Sequence, residues 1–179
     1  KYNLNYAVQD ATAFEKQISD NALSIFENVN VTFIKDEQIT RTRIIQEFNR
    51  LKGTVGQEDV FMFYYAGHGV MSVDDQSQFY LVPNDVTRLY SDNVALGAKA
   101  ISAKELQQFS TELKAQKQLF VFDACQSGGM TDMLAMRGAA EEKAIAQLAR
   151  STGTYWLTAS GSEQFATEFA VLGHGLFTY

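Results

Sequence analysis

Cysteine and proline are almost missing from this sequence, which has one of each in 179 residues. A single cysteine cannot form an internal disulfide, so we expect a free thiol in a reducing compartment such as the cytoplasm. One proline and few low-complexity stretches predict no long disordered linker. Because the cysteine has no internal disulfide partner, its thiol is available for chemistry.

An excess of positive charge is also missing, since 15 Lys and Arg face 21 Asp and Glu, for a net charge of −6. An acidic chain without basic patches is not expected to bind nucleic acid. No apolar run approaches the ~20 residues of a membrane helix, and no signal-peptide pattern is found. We therefore expect no membrane partner. Hydrophobic content of 46% with 20% charged residues is ordinary for one globular domain.

Helical and strand patterns alternate along the chain. The predicted helices cover residues 6–18, 40–53 and a segment that begins at the capping box of residues 102–105; the predicted strands cover residues 29–34, 59–65, 79–82, 119–123 and 154–160. Residues 79–82 are predicted to form a short strand that stops at Pro83 and belongs to a hairpin. Residues 85–99 are predicted to be irregular, and residues 126–153 to form a linker. The alternation predicts an α/β sandwich with a mostly parallel sheet.

Two of these strands are followed by residues that carry chemistry. The strand at residues 59–65 precedes His68, which has a glycine on each side, and the strand at residues 119–123 precedes Cys125. Because ligands bind outside the carboxyl ends of parallel strands, we expect the two side chains to be neighbours. A thiolate is a strong nucleophile and imidazole is its usual proton acceptor and donor. The glycines allow backbone N–H groups to approach a substrate carbonyl.

Each of these residues also has a simpler interpretation. A lone cysteine is usually a small buried hydrophobic residue, and a lone histidine is usually just hydrogen-bonded. Their joint occurrence at two predicted strand ends, each beside glycine or Ser-Gly, favours catalysis over both simpler interpretations.

The segments YYAGHG at residues 64–69 and DACQSG at residues 123–128 resemble the two signature blocks of the caspase-like cysteine peptidases, family C14. They are most similar to the metacaspase and bacterial caspase-like branch. Caspases carry Gln-Ala-Cys-x-Gly with the histidine about 50 residues upstream; here Asp123 replaces the glutamine and Ser127 precedes the glycine. The resemblance implies a three-layer α/β/α fold. It also implies that residues 1–179 are one domain that lacks the family's first strand and last helix.

The resemblance implies a role for each site residue. Cys125 is the nucleophile of a cysteine endopeptidase that forms a thioester acyl-enzyme, and His68 is its acid and base. The oxyanion is expected on the backbone N–H groups of Gly69 and Cys125. Asp10 and Asp123 match an acidic S1 pocket, and two carboxylates pair well with guanidinium or ammonium, so cleavage after Arg or Lys is expected. The simpler alternatives are a helix N-cap for Asp10 and a strand-end carboxylate bonded to backbone for Asp123.

Calcium is the cofactor that the resemblance raises. Asp132 matches one position of the family's calcium site, but Gln78 stands where the family has an aspartate. A site without that carboxylate should bind calcium weakly, so we expect no metal site and no cofactor. A different calcium site formed by other acidic residues remains open; the candidates are Asp74, Asp75, Asp85 and Asp92.

Cleavage after basic residues would make the linker a substrate of its own domain. Arg137, Lys143 and Arg150 are the candidate self-cleavage sites; the alternative is that they are solvated charges on a helix. His174 is the other histidine, and we expect it to be non-catalytic because His68 has the better position after a strand.

Two functions compete with the peptidase. One is a catalytically silent caspase-like domain for regulation or protein binding, although such a domain has no reason to keep both His68 and Cys125. The other is a cysteine hydrolase or acyltransferase with another acyl substrate. The expected partner is a protein or peptide with a basic P1 residue, and a fused or separate regulatory domain remains open.

Overall fold

The computed structural model describes residues 6–72, 79–86, 93–124, 154–158, 168–169 and 174–175. Its helices are α1 (Ala7–Ala22), α2 (Arg41–Thr54), α3 (Asn93–Lys99) and α4 (Ala103–Glu112). Its strands are β1 (Val60–Met71), β2 (Phe79–Val82), β3 (Ile101–Ser102), β4 (Lys117–Ala124), β5 (Thr154–Thr158), β6 (Glu168–Phe169) and β7 (His174–Gly175). Asp36–Gln38 forms a 3₁₀ turn.

Five of the strands form one sheet in the order β3-β2-β1-β4-β5. β1, β4 and β5 are parallel, whereas β2 and β3 join the same sheet as antiparallel strands. β6 and β7 form a separate antiparallel pair. This is the α/β architecture that the sequence predicts, with the antiparallel strands added on one side of a parallel core.

Helices cover both faces of the sheet. Side chains along a strand alternate between the two faces, so their contacts show which helix lies on which face. Phe61 and Phe63 of β1 point to one face, where their rings lie 6.0 and 5.5 Å from that of Phe48 in α2. Tyr64 points to the other face and stacks on Phe14 of α1 at 4.2 Å. The chain therefore has three layers, with α1 on one side of the sheet and α2 on the other.

Aromatic packing on the α2 side fixes β4. The ring of Phe120 lies 4.4 Å from that of Trp156 and 5.6 Å from that of Phe61. Phe120 and Phe122 are both fully buried. Burying one such side chain contributes about 1.5–3 kcal/mol, so the strand that leads to Cys125 is held firmly against its neighbours.

The predicted capping box at the start of α4 is confirmed. The Glu105 backbone N–H donates to the Ser102 hydroxyl at 3.2 Å, and the Ser102 backbone N–H donates to the Glu105 carboxylate at 3.0 Å. Arg41, the first residue of α2, also donates to that carboxylate and to the Ala100 carbonyl oxygen. Burial raises the pKa of Glu105, but the hydrogen bonds from Arg41 and Ser102 together bring it below its usual value. The starts of α2 and α4 are thereby tied together.

Two predicted segments are wrong. Residues 29–34 form neither strand nor helix, and Val31 and Phe33 are 47% and 39% exposed. Their alternating pattern suits a strand, but a strand is stabilised by side-chain pairs with a neighbouring strand, and no strand in the described chain pairs with them.

α3 occupies the second half of a region predicted to be irregular. Leu96 and Ala100 are buried there against Val70, so tertiary packing overrides a weak local pattern.

A large cavity of about 2170 Å³ separates residues 29–34 from β1. Phe14 and Ile18 of α1 line it, together with Val60, Met62 and Tyr64 of β1. Val60 and Met62 are 40% and 36% exposed. Along residues 60–67, no other described strand pairs with the edge of β1 that is opposite β4.

Among the helices that the structure describes, none has the length and apolar character needed to cross a membrane.

Candidate active site

β1 changes its partner at His68. Residues 60–67 of β1 pair in parallel with β4, and the last pair is Gly67 with Ala124. From His68 to Met71 the strand pairs with antiparallel β2, and the first pair is His68 with Val82. The prediction that β1 ends before His68 is therefore wrong. The glycines are usual signs of a strand end, but β2 supplies a new partner where β4 stops.

The half-buried His68 thus lies beside the carboxyl end of β4. Neighbouring strands of a sheet are about 4.8 Å apart, and Ala124 is the residue that precedes Cys125. Cys125 itself lies outside the described residues. Gly69 is buried and pairs with Leu81 in the ladder between β1 and β2.

Asp10 and Asp123 belong to the same face of the sheet. Asp123 pairs with Ala66, and the alternation along β1 puts Ala66 on the face of Tyr64, which α1 covers. Asp10 is one helical turn before Phe14, on the side of α1 that packs on the sheet. Both aspartates are buried, with 3% and 8% exposure. Asp123 is the last residue but one of β4, and Asp10 is in the helix that covers the same face of the sheet. Carboxyl groups of this kind can pair with a cation.

The N-cap interpretation of Asp10 is wrong. α1 begins at Ala7 with Tyr6 as its N-cap, and the Asp10 backbone N–H donates to the Tyr6 carbonyl oxygen at 2.8 Å. Asp10 is therefore inside the first turn of the helix, where a negative charge is favourable near the helix N-terminus. It is also the buried residue of α1, which a surface cap would not be.

Tyr65 is a residue of this region that the sequence prediction missed. Its hydroxyl lies 3.1 Å from the carbonyl oxygen of His68 and 3.0 Å from that of Val82. Burial raises the pKa of Tyr65 far above its usual value, so the hydroxyl keeps its proton. In the sequence, nothing distinguishes Tyr65 from the aromatic core residues around it.

Other predicted positions are only partly described. No group of three or more His, Cys, Asp or Glu that could hold a metal ion occurs within the described ranges. Asp85 is exposed, and His174 is in β7, which pairs with β6 and lies near α1. Several predicted positions lie outside the described residues: Asp74, Asp75, Gln78, Asp92, Ser127, Asp132, Arg137, Lys143 and Arg150.

Comparison with known proteins gives a matching family and a similar fold. The family profile described as the caspase domain matches residues 1–179. A probable protease from a Desulfuromonadales bacterium is 34% identical over 92 residues, which are 49% of this chain and 10% of that protein's length. The crystal structure of a Geobacter sulfurreducens protein has a similar fold, with a TM-score of 0.61 and 17% identity over 94% of this chain and 69% of that one.

Proposed function

Because the chain belongs to the caspase-domain peptidase family, we propose that it is a cysteine endopeptidase that uses Cys125 and His68 and cleaves after Arg or Lys. The observation that supports the proposal is the partner change of β1: Gly67 pairs with Ala124 at the end of β4, and His68 is the next residue of β1. Cys125 follows Ala124 in the sequence, so the proposed nucleophile and His68 each come one residue after this last pair.

The proposed reaction has two steps. The His68 imidazole takes the Cys125 proton, and the thiolate sulfur attacks the carbonyl carbon of the scissile bond. The oxyanion is stabilised by the backbone N–H groups of Gly69 and Cys125. As the C–N bond breaks, the imidazolium gives its proton to the leaving amine, and a thioester remains. Water, deprotonated by His68, then hydrolyses the thioester and restores the thiol.

The preference for a basic residue rests on Asp10 and Asp123. Both are buried and belong to one face of the sheet. Two carboxylates in one pocket pair well with a guanidinium or ammonium group, so we expect such a pocket to select for a basic P1 side chain and against an acidic one. The proposed pocket therefore favours cleavage after Arg or Lys over cleavage after Asp.

A panel of fluorogenic tetrapeptides with Arg, Lys, Asp or Ala at P1 tests the proposal. Turnover of the Arg and Lys peptides is expected, with none in Cys125→Ala. The panel is run with calcium and with a chelator, and equal rates are expected because we propose that no cofactor is needed. Turnover of the Asp peptide would disprove the acidic pocket. Silence throughout, with no labelling of Cys125 by a thiol probe, would favour the regulatory or protein-binding domain.

Self-cleavage follows from the same preference. Arg137, Lys143 and Arg150 lie between the nucleophile and β5 in the sequence, and we propose that the active domain cleaves at one or more of them. Mass spectrometry of the active protein is expected to find termini at these residues, which the Cys125→Ala protein lacks.

We also propose that this single caspase-like domain is completed by a further strand and a further helix from outside residues 1–179. The strand would fill the cavity and pair with the edge of β1. In residues 1–179 alone, hydrogen exchange is expected to be fast at the alternate amides of residues 60–64 that face the cavity, and slow in a longer chain that includes upstream sequence. The amides of β4, which has a neighbour on each side, are the control. Equal fast exchange of the β1 amides in both chains would disprove the proposal.

A further inference from the structure

We propose that Tyr65 is a positioning residue for His68. The hydroxyl of Tyr65 fixes the backbone at the point where β1 leaves β4 and joins β2. The inference rests on the proposed function, since it concerns the distance between the His68 imidazole and the Cys125 thiol. Tyr65 touches neither substrate nor thiol in this role and acts through the histidine.

The hydroxyl of Tyr65 joins the two strands where their pairing starts. Its two neighbours are the carbonyl oxygens of His68 and Val82, at 3.1 and 3.0 Å, and these residues form the first pair between β1 and β2. A tyrosine hydroxyl has one proton to donate, so the two carbonyl groups share it. The contact therefore restrains the His68 peptide group relative to the neighbouring strand.

Gly67 makes room for this contact. A Cβ atom built on Gly67 would lie 2.5 Å from the Tyr65 hydroxyl oxygen and 2.6 Å from Cζ. Real Cβ atoms do not approach other atoms this closely, so any side chain at position 67 would displace the ring. The glycine before the histidine is thus required for close packing of the tyrosine. Tyr65 and Gly67 act as one unit beside His68.

A plain core tyrosine is the competing interpretation, because Tyr65 also belongs to the main hydrophobic cluster. Phenylalanine would fill the same volume and keep that packing. It would lose only the contact with the two carbonyl oxygens, so Tyr65→Phe separates positioning from packing. Because burial keeps the phenol protonated, the contact is present at every pH at which the enzyme would work.

The test measures the rate of Cys125 alkylation by iodoacetamide from pH 5 to 10, together with peptide hydrolysis. In the unmodified protein the imidazolium is expected to favour the thiolate and to make it reactive well below the ordinary thiol pKa of about 8.5. In Tyr65→Phe the profile is expected to move towards that value. The kcat is expected to fall about 10-fold with KM unchanged, because small misplacement of a catalytic group is costly.

Two further variants control for stability and for coupling. Ser110→Ala also removes a buried hydroxyl, which donates to Gln118 at 2.9 Å near the opposite end of β4, and its alkylation profile is expected to be unchanged. Gly67→Ala is expected to shift the profile in the same direction as Tyr65→Phe. The double variant should not be the sum of the two, because both act on one contact.

The inference is overturned if folded Tyr65→Phe keeps the profile and kcat of the unmodified protein, or if Ser110→Ala shifts the profile as much. Failure of the proposed function gives a different result, in which no peptide is cleaved and His68→Ala does not change the alkylation profile. Circular dichroism of each variant confirms that folded proteins are compared. If Tyr65→Phe does not fold, the profile of Gly67→Ala decides the question alone.

Discussion

Replacement of His68 by alanine is expected to lower kcat for Arg or Lys peptides by about 10²–10⁴-fold, the range for loss of a general acid and base. In the proposed mechanism the imidazole serves in both steps. It is base for the thiol and acid for the leaving amine as the thioester forms, and base for water as the thioester is hydrolysed. KM is expected to change little, because in the proposed mechanism His68 acts on the scissile bond and does not hold the P1 side chain. Steady-state kinetics measures both constants.

His174→Ala is the matched control for this variant. His174 is the other histidine of the chain, and it is in β7, whose partner is β6 and not a strand of the main sheet. Its removal is expected to leave kcat unchanged. Retained hydrolysis in His68→Ala, or its loss in His174→Ala, would contradict the assignment of the acid and base.

Replacement of Asp123 by asparagine is expected to lower kcat/KM for an Arg peptide by about 30-fold or more. Removing one partner of a buried charge pair costs about 2–5 kcal/mol, and the amide preserves the shape of the side chain. Asp10→Asn is expected to act in the same way. The rate with an Ala peptide, which brings no charge into the pocket, is expected to change far less, so the ratio of the two rates is the quantity to measure.

Asp59→Asn controls for the loss of one negative charge. Asp59 is exposed at the start of β1, far along the strand from His68, and accepts a hydrogen bond from the Gly56 backbone N–H at 2.7 Å. Its ratio of Arg to Ala rates should match that of the unmodified enzyme. The effects of Asp10 and Asp123 should not add in the double variant, because both act on one cation. An unchanged ratio in both single variants would refute the acidic pocket.

Local patterns were sufficient to predict the elements that carry their own signals. The capping box at Ser102 and Glu105 acts within four residues, so its hydrogen bonds could be predicted from residue types alone. Thr40 likewise caps α2 by accepting from the Arg43 backbone N–H. The apolar segments of β1 and β4 were recognisable as strands because each is a short continuous apolar run. Nearly every position of β4 is buried, as expected for a strand in the middle of a parallel sheet, whereas Val60 and Met62 of β1 are exposed.

What could not be predicted depends on partners far away in sequence. Residues 29–34 have a strand pattern, but pairing requires a neighbour, and pattern alone does not supply it. β1 continues beyond Gly67 because β2 lies next to it, whereas glycine locally signals an end. The same holds for the candidate site. The face shared by Asp10 and Asp123 follows from the register of β1 and β4, and the proposed role of Tyr65 follows from the contacts of one hydroxyl group.

The parallel pairing of β1 with β4 has a consequence for synthesis of the protein. A ribosome adds about 5–20 residues per second, so a growing chain carries His68 for several seconds before Cys125 is added. During that time β1 lacks the neighbour against which its aromatic residues pack. Cys125 and β4, the strand that directly precedes it, are then made together. If the proposed peptidase is correct, a nascent chain is harmless to its neighbours until β4 has left the ribosome and joined β1.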